Sequence, residues 1–199
     1  MSELQPWIGG TAGFISLLGF VPYAYSVICG GTRPSYTTWL IWTVVGVLLF
    51  ASYNARVGGA ARWVPLSDAL GPAAIAAISF RYRRAGLSRL DLGCLTLAGL
   101  SVIGWVLIGS ATVTLIVNLF IALLGALPTL WSVYRDPASE SILAWRLFLF
   151  GNALNLSAIE VWNMTSASYP VYAVAISALI VFLLSSPRSA VPCLERITA

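Results

Sequence analysis

One carboxylate stands inside an otherwise uncharged, largely apolar stretch: Asp68, in the run from Trp63 to Phe80. If that run is a helix across a bilayer, Asp68 lies roughly 9 Å below its outer end, where an ionised carboxylate needs a partner, water or a proton. Two kinds of chemistry fit. A substrate cation or a coupled proton would make Asp68 functional, whereas a pair with Arg56 or Arg62 would make it structural. Asn152 and Asn155 are three residues apart and so share one helix face. Side-chain amides at such a depth either bond a solute or tie helices together. Trp42 and Tyr172 offer aromatic faces for stacking, and Ser67 adds a hydroxyl beside Asp68. These six residues are the candidate solute-binding set.

Other chemistries are excluded by what the chain lacks. It has no lysine, so a retinal Schiff base is impossible, and no histidine, which removes imidazole-ligated haem or zinc and His-based catalysis. Cys29, Cys94 and Cys193 have no metal-ligand spacing and are expected as free thiols. No nucleophile with a base and no phosphate-binding glycine loop is present. The expectation is therefore a non-enzyme without a cofactor or a metal.

The elements that must position these residues are membrane spans. The composition is 59% hydrophobic and only 9% charged over 199 residues, with a mean hydropathy of +0.88. The eleven basic residues are all Arg and sit in gaps between apolar runs, which marks them as topology charges rather than a nucleic-acid surface. The expected partners are a small-molecule substrate and the lipid bilayer, with no nucleic acid. Seven runs are long enough to cross: Trp7 to Cys29, Tyr36 to Asn54, Trp63 to Phe80, Leu92 to Gly109, Thr112 to Tyr134, Ile142 to Trp162 and Tyr169 to Ser185. The first follows an acidic tip and has no cleavage site, so it is not read as a removable signal. Gly93, Gly99 and Gly104 in the fourth run would let it pack closely against neighbours. Arg135, Asp136 and Glu140, in the turn between the fifth and sixth runs, read as solvated charges or as a latch on an inner gate. With the N-terminus outside, nine arginines fall on the cytoplasmic side and two outside, which predicts N-out, C-in. Arginine in place of every lysine, with abundant Ala and Gly, points to a GC-rich bacterial genome and hence a plasma membrane.

The runs repeat. Offset by 106 residues, Gly19 meets Gly125, Pro22 meets Pro128, Ser26 and Val27 meet Ser132 and Val133, Ser35 meets Ser141, and Trp39 meets Trp145. A one-residue gap then brings Gly46 onto Gly151 and Pro65 onto Pro170. The predicted fold is an all-α integral membrane protein of two parallel three-helix repeats joined by a linker helix. Residues 1–80 form the first repeat, 81–111 a basic loop and the linker helix, 112–185 the second repeat and 186–199 a cytoplasmic tail. An odd number of spans inverts the chain and the fourth run turns it back, so the repeats relate by an axis along the membrane normal.

Those features, with "GFVPYAYSV" and "GALPTLWSV" at the prolines, resemble the PQ-loop or MtN3/saliva superfamily, which includes the SWEET sugar transporters. Tyr23 and Thr129 stand where glutamine is usual after the proline, and the third run of each repeat lacks the asparagine of sugar-binding members. The resemblance implies transport of a small polar solute, a sugar or other metabolite, by alternating access. It also implies hinges at Pro22 and Pro128, and association into homo-oligomers. Receptors on the same fold give the alternative: a membrane receptor, sensor or partner subunit.

Overall fold

The computed structural model describes residues 4–56, 63–82, 87–108, 111–159 and 161–186. Among these are seven α-helices and no strand: α1 (Leu4–Ile28), α2 (Tyr36–Arg56), α3 (Trp63–Tyr82), α4 (Arg89–Ile108), α5 (Ala111–Arg135), α6 (Ile142–Ser157) and α7 (Met164–Ser185). A single 3-10 turn, Pro137–Ser139, joins α5 to α6. Arg62, Glu160, Cys193 and the tail beyond 186 lie outside the described residues.

Three of these helices are long and apolar enough to cross a bilayer on length and composition: Leu4–Ile28, Val117–Arg135 and Ser166–Ser185. Their outward faces are apolar, with Phe14, Val21, Phe120, Leu179 and Phe182 all exposed. The interior holds Ser16, Thr37, Thr38, Asn118, Thr129 and Ser177. Where the surroundings are as apolar as leucine, burying leucine does not draw helices together. Close contact through small residues and hydrogen bonds does.

Local capping sets the helix ends and explains where they depart from the apolar runs. Ser35 and Ser141, 106 residues apart, both act as N-caps: Ser35 Oγ accepts from Thr38 N at 3.3 Å and Ser141 Oγ from Ala144 N at 3.5 Å. Helix α4 starts at Arg89, before the apolar run at Leu92, because Ser88 and Asp91 form a capping box. Ser88 N donates to Asp91 Oδ2 at 2.9 Å and Asp91 N to Ser88 Oγ at 3.1 Å. Helix α7 starts five residues before the expected Tyr169, since Asn163 Oδ1 accepts from Ser166 N at 3.0 Å while Asn163 N donates to Ser166 Oγ at 3.3 Å. The expected sixth run to Trp162 is shortened to 16 residues, ending where Ala158 N turns back onto Asn155 O and Leu156 O.

Helices α1 and α2 both pack on neighbours from the other half. Contacts link α1 with α3 and α6, α2 with α3, α5 and α4, α6 with α7, and α5 with α7 and α4. A close crossing places Gly46 against the Asp68 carbonyl, where no side chain would fit. Gly151 likewise lies against α1, with Ser16 Oγ and Ala12 O where its Cβ would be. The reading of α4 as a close-packed helix is corrected. A Cβ on Gly93, Gly99 or Gly104 would meet nothing within 4 Å, because α4 docks through Cys94, Leu95 and Val102 and its glycines face away.

Candidate solute site

A cavity of about 70 Å³ lies among α1, α2, α3, α6 and α7. Its aromatic walls come from matching turns of two helices: Trp39 and Trp42 on α2, Trp145 and Phe148 on α6. Each pair is three residues apart, so both rings leave the same helix face. The four rings interlock, with centroids 5.4 Å apart for Trp39 and Trp42, 5.9 Å for Trp42 and Trp145, and 5.5 Å for Trp145 and Phe148. Phe20 closes one side at 4.7 Å from Phe148. Trp42 is fixed from behind, donating Nε1–H to the Ala122 carbonyl of α5 at 3.0 Å.

The polar groups sit on α1, α3, α6 and α7. Asp68 lies on α3, and its Oδ2 accepts from the Tyr169 hydroxyl at 3.3 Å. Asn152 donates Nδ2–H to Ser177 Oγ at 2.9 Å, and Ser177 in turn donates to the Ala173 carbonyl at 2.6 Å. Ser16 Oγ is buried without a hydrogen-bond partner among the described residues, and Tyr172 OH lies beside the Trp42 indole but makes no bond of good geometry, since Trp42 Nε1–H is directed to the Ala122 carbonyl. Unpaired buried hydroxyls are costly and uncommon, and at a cavity wall they await a ligand or water. Among the described residues no basic side chain lines the cavity.

Of the six candidate residues, Trp42, Asp68, Asn152 and Tyr172 are brought together here. Ser67 and Asn155 are not among the lining residues. Ser67 is buried elsewhere on α3, one position and about 100° round the helix from Asp68. Asn155 shares α6 with Asn152, but α6 ends at Ser157, so Asn155 falls in its last turn and away from the cavity lining. The side chains of Arg56 and Arg62, the structural partners considered for Asp68, lie outside the described residues. Tyr169, Ser177, Ser16, Phe20 and Phe148 also line the cavity and are not among the residues expected there from the sequence. Tyr169 was findable three residues before Tyr172, and Phe148 stands 106 residues from Trp42.

A second polar cluster closes the expected cytoplasmic end. The Tyr23 hydroxyl accepts from Trp39 Nε1 at 3.1 Å and lies beside the Glu140 carboxylate, which accepts from Trp145 Nε1 at 2.9 Å. Arg33 N donates to the Ser139 carbonyl at 2.9 Å, tying the turn after α1 to the turn after α5. Solvation does not describe Glu140, which is only 6% exposed. Burial pushes its carboxyl up to about 7, against the lowering effect of its Trp145 and Tyr23 bonds. The residues after the two prolines are likewise committed to α2, Tyr23 to Trp39 and Thr129 Oγ1 to Thr38 Oγ1 at 3.0 Å.

Pro22 and Pro128 both lie inside continuous helices, one turn or more from the ends of α1 and α5. Each removes one i to i−4 hydrogen bond, which locally weakens its helix. A larger open groove of about 740 Å³ runs outside α5 and α7, past Leu119, Phe120, Leu123 and Val171. Its described lining residues are uncharged, and it suits acyl chains better than a polar solute. Comparison with models of known families, with curated proteins and with solved structures finds no match to this chain.

Proposed function

We propose that this chain is a SWEET-like transporter, carrying a small polar solute across the bacterial plasma membrane by alternating access about Pro22 and Pro128. On this reading α1–α3 and α5–α7 are two parallel three-helix repeats, α4 is their linker, the N-terminus is outside and the C-terminus is cytoplasmic. The contact pattern supports the repeat. Exchanging α1, α2 and α3 for α5, α6 and α7 turns the α1–α6 contact into α5–α2, and the α1–α3 and α2–α3 contacts into α5–α7 and α6–α7. The same exchange holds at single residues. A Cβ on Gly19 would lie 2.6 Å from Phe148 and 3.3 Å from Leu147, and one on Gly125 would lie 2.8 Å from Ile41 and 3.2 Å from Trp42. Every member of the second set stands 106 residues from its counterpart in the first.

The observation that carries the functional reading is the cavity, which lies between the two sets of helices and is walled by rings from both. A site on a pseudo-two-fold axis can open to either side when the halves rock. The inner turns, bonded through Arg33 and Ser139 and backed by Tyr23 and Glu140, supply a closure on one side. The test is a thermal-shift screen of the purified chain against sugars, amino acids, vitamins, nucleosides and amines, followed by uptake of any hit into proteoliposomes. A ligand raises the melting temperature by mass action, and uptake should fall when Asp68 or Asn152 is replaced by Ala. Uptake unchanged by either replacement, for every solute that responds, would refute a transport site here. A protein co-purifying at fixed stoichiometry, with no solute taken up, would favour a receptor or partner subunit.

A further inference from the structure

Three features of the cavity point to one class of ligand. Among the described lining residues Asp68 is the one carboxylate, and none is basic to receive a carboxylate or phosphate from a ligand. Its walls are aromatic, and the faces of such rings carry the negative part of the quadrupole, which attracts cations. Its two orphan groups, Ser16 Oγ and Tyr172 OH, offer lone pairs to an N–H donor. We infer that the cavity takes a small primary ammonium ion, a short alkylamine in its protonated form that carries no carboxylate. This rests on reading the cavity as the solute site and names the class of solute.

Each part of such an ion has a place. The ammonium presents three N–H donors, which suit one carboxylate and two hydroxyls. Its short apolar tail suits the four-ring box of Trp39, Trp42, Trp145 and Phe148. Size limits the tail: about 70 Å³ is well under the roughly 150 Å³ that accommodates benzene. A sugar does not fit the cavity in this conformation. An amino acid would bury its carboxylate against rings without a counter-charge, which costs more than the site returns. A quaternary ammonium would satisfy the rings but leave both hydroxyls unpaired.

The experiment is calorimetric titration of the folded, detergent-purified chain at pH 8, where a primary amine is still protonated, with ethylammonium, tetramethylammonium, 1-propanol, alanine and glucose, paired with uptake of the same compounds into proteoliposomes. Ethylammonium should bind saturably, with 1-propanol, alanine and glucose each at least tenfold weaker and tetramethylammonium intermediate. Asp68→Asn should weaken ethylammonium at least tenfold, and Tyr172→Phe, which keeps the ring, several-fold without abolishing binding. Tyr172→Phe also serves as the readout should Asp68→Asn not fold. Binding of 1-propanol or glucose as tight as ethylammonium, no binding of any amine, or amine affinity unchanged in both variants would overturn the inference. The two readings fail separately. Uptake of a neutral solute without amine binding removes the cation site and leaves a transporter. Amine binding with no uptake of any compound keeps the site and removes transport.

Discussion

Replacing Gly46 with alanine tests how the candidate site is held. Gly46 lies where α2 crosses α3 at Asp68, and a Cβ there would land on the Asp68 carbonyl and within 2.6 Å of Ala69 N. Both neighbours are backbone, so no rotamer change relieves the clash. Ordinary contact begins at 3.4 Å, so the Ala69 N contact alone requires the crossing to open by 0.8 Å and the carbonyl contact requires more. Overpacking of this kind costs about 1–3 kcal/mol. At about 2–4 °C per kcal/mol for a chain of this size, the melting temperature should fall by roughly 2–12 °C. The same opening carries Asp68 away from Tyr169, whose bond to it is already 3.3 Å, so ligand affinity should fall with stability. Gly104→Ala on α4 is the control, since its Cβ meets nothing within 4 Å and alanine is the better helix former. Thermal unfolding in detergent and ligand titration of the three proteins decide the matter. If Gly46→Ala melts with the wild type and binds as well, the α2–α3 crossing is not as tight as described.

Three further outcomes are expected. Glu140 has its carboxyl raised from 4.5 to about 7 by burial, so between those values the folded chain holds a proton that the unfolded chain has lost. Stability from this group is then full below pH 4.5 and declines as pH rises through 7, by about 3 kcal/mol in all at 1.36 kcal/mol per unit. Glu140→Gln should flatten that slope in melts taken from pH 4.5 to 8, and an unchanged slope would place the titration elsewhere. Asn152→Ala removes the bond to Ser177 and should cost about 0.6 kcal/mol or somewhat more in unfolding assays, with a larger loss of ligand binding. Ser35→Ala and Ser141→Ala should each cost about 0.5–2 kcal/mol, and similar values at the two positions would match their equivalent capping roles.

The parts of the molecule legible in the sequence were those written twice or written in charge. The 106-residue echo picked out Gly19 and Gly125, Ser35 and Ser141, and Trp39 and Trp145, and each pair has related surroundings in the fold. Asp68 stood out because a lone carboxylate in an apolar run is costly. Less visible were features that depend on three dimensions. Hydropathy marks where a run is apolar but not where a cap begins the helix, so Ser88 and Asp91 moved the start of α4, and Asn163 and Ser166 that of α7. Glu140 reads as a loop charge, and its burial follows only from how Tyr23 and Trp145 close over the turn. The glycines of α4 have the composition of a packing face and form an open one, because spacing alone does not say which face a neighbour takes.

Alternating access about a cavity between the halves requires that one wall meet both compartments, which thiol labelling can read. With Cys29, Cys94 and Cys193 replaced by alanine, a single cysteine in place of Ser177 would sit on the cavity wall, which alternating access would open to each compartment in turn. Membrane vesicles of both orientations would be treated with a small, membrane-impermeant thiol reagent. Labelling is expected from both sides, with solute slowing it from each. Labelling from one side alone, in a chain that still binds its solute, would contradict it.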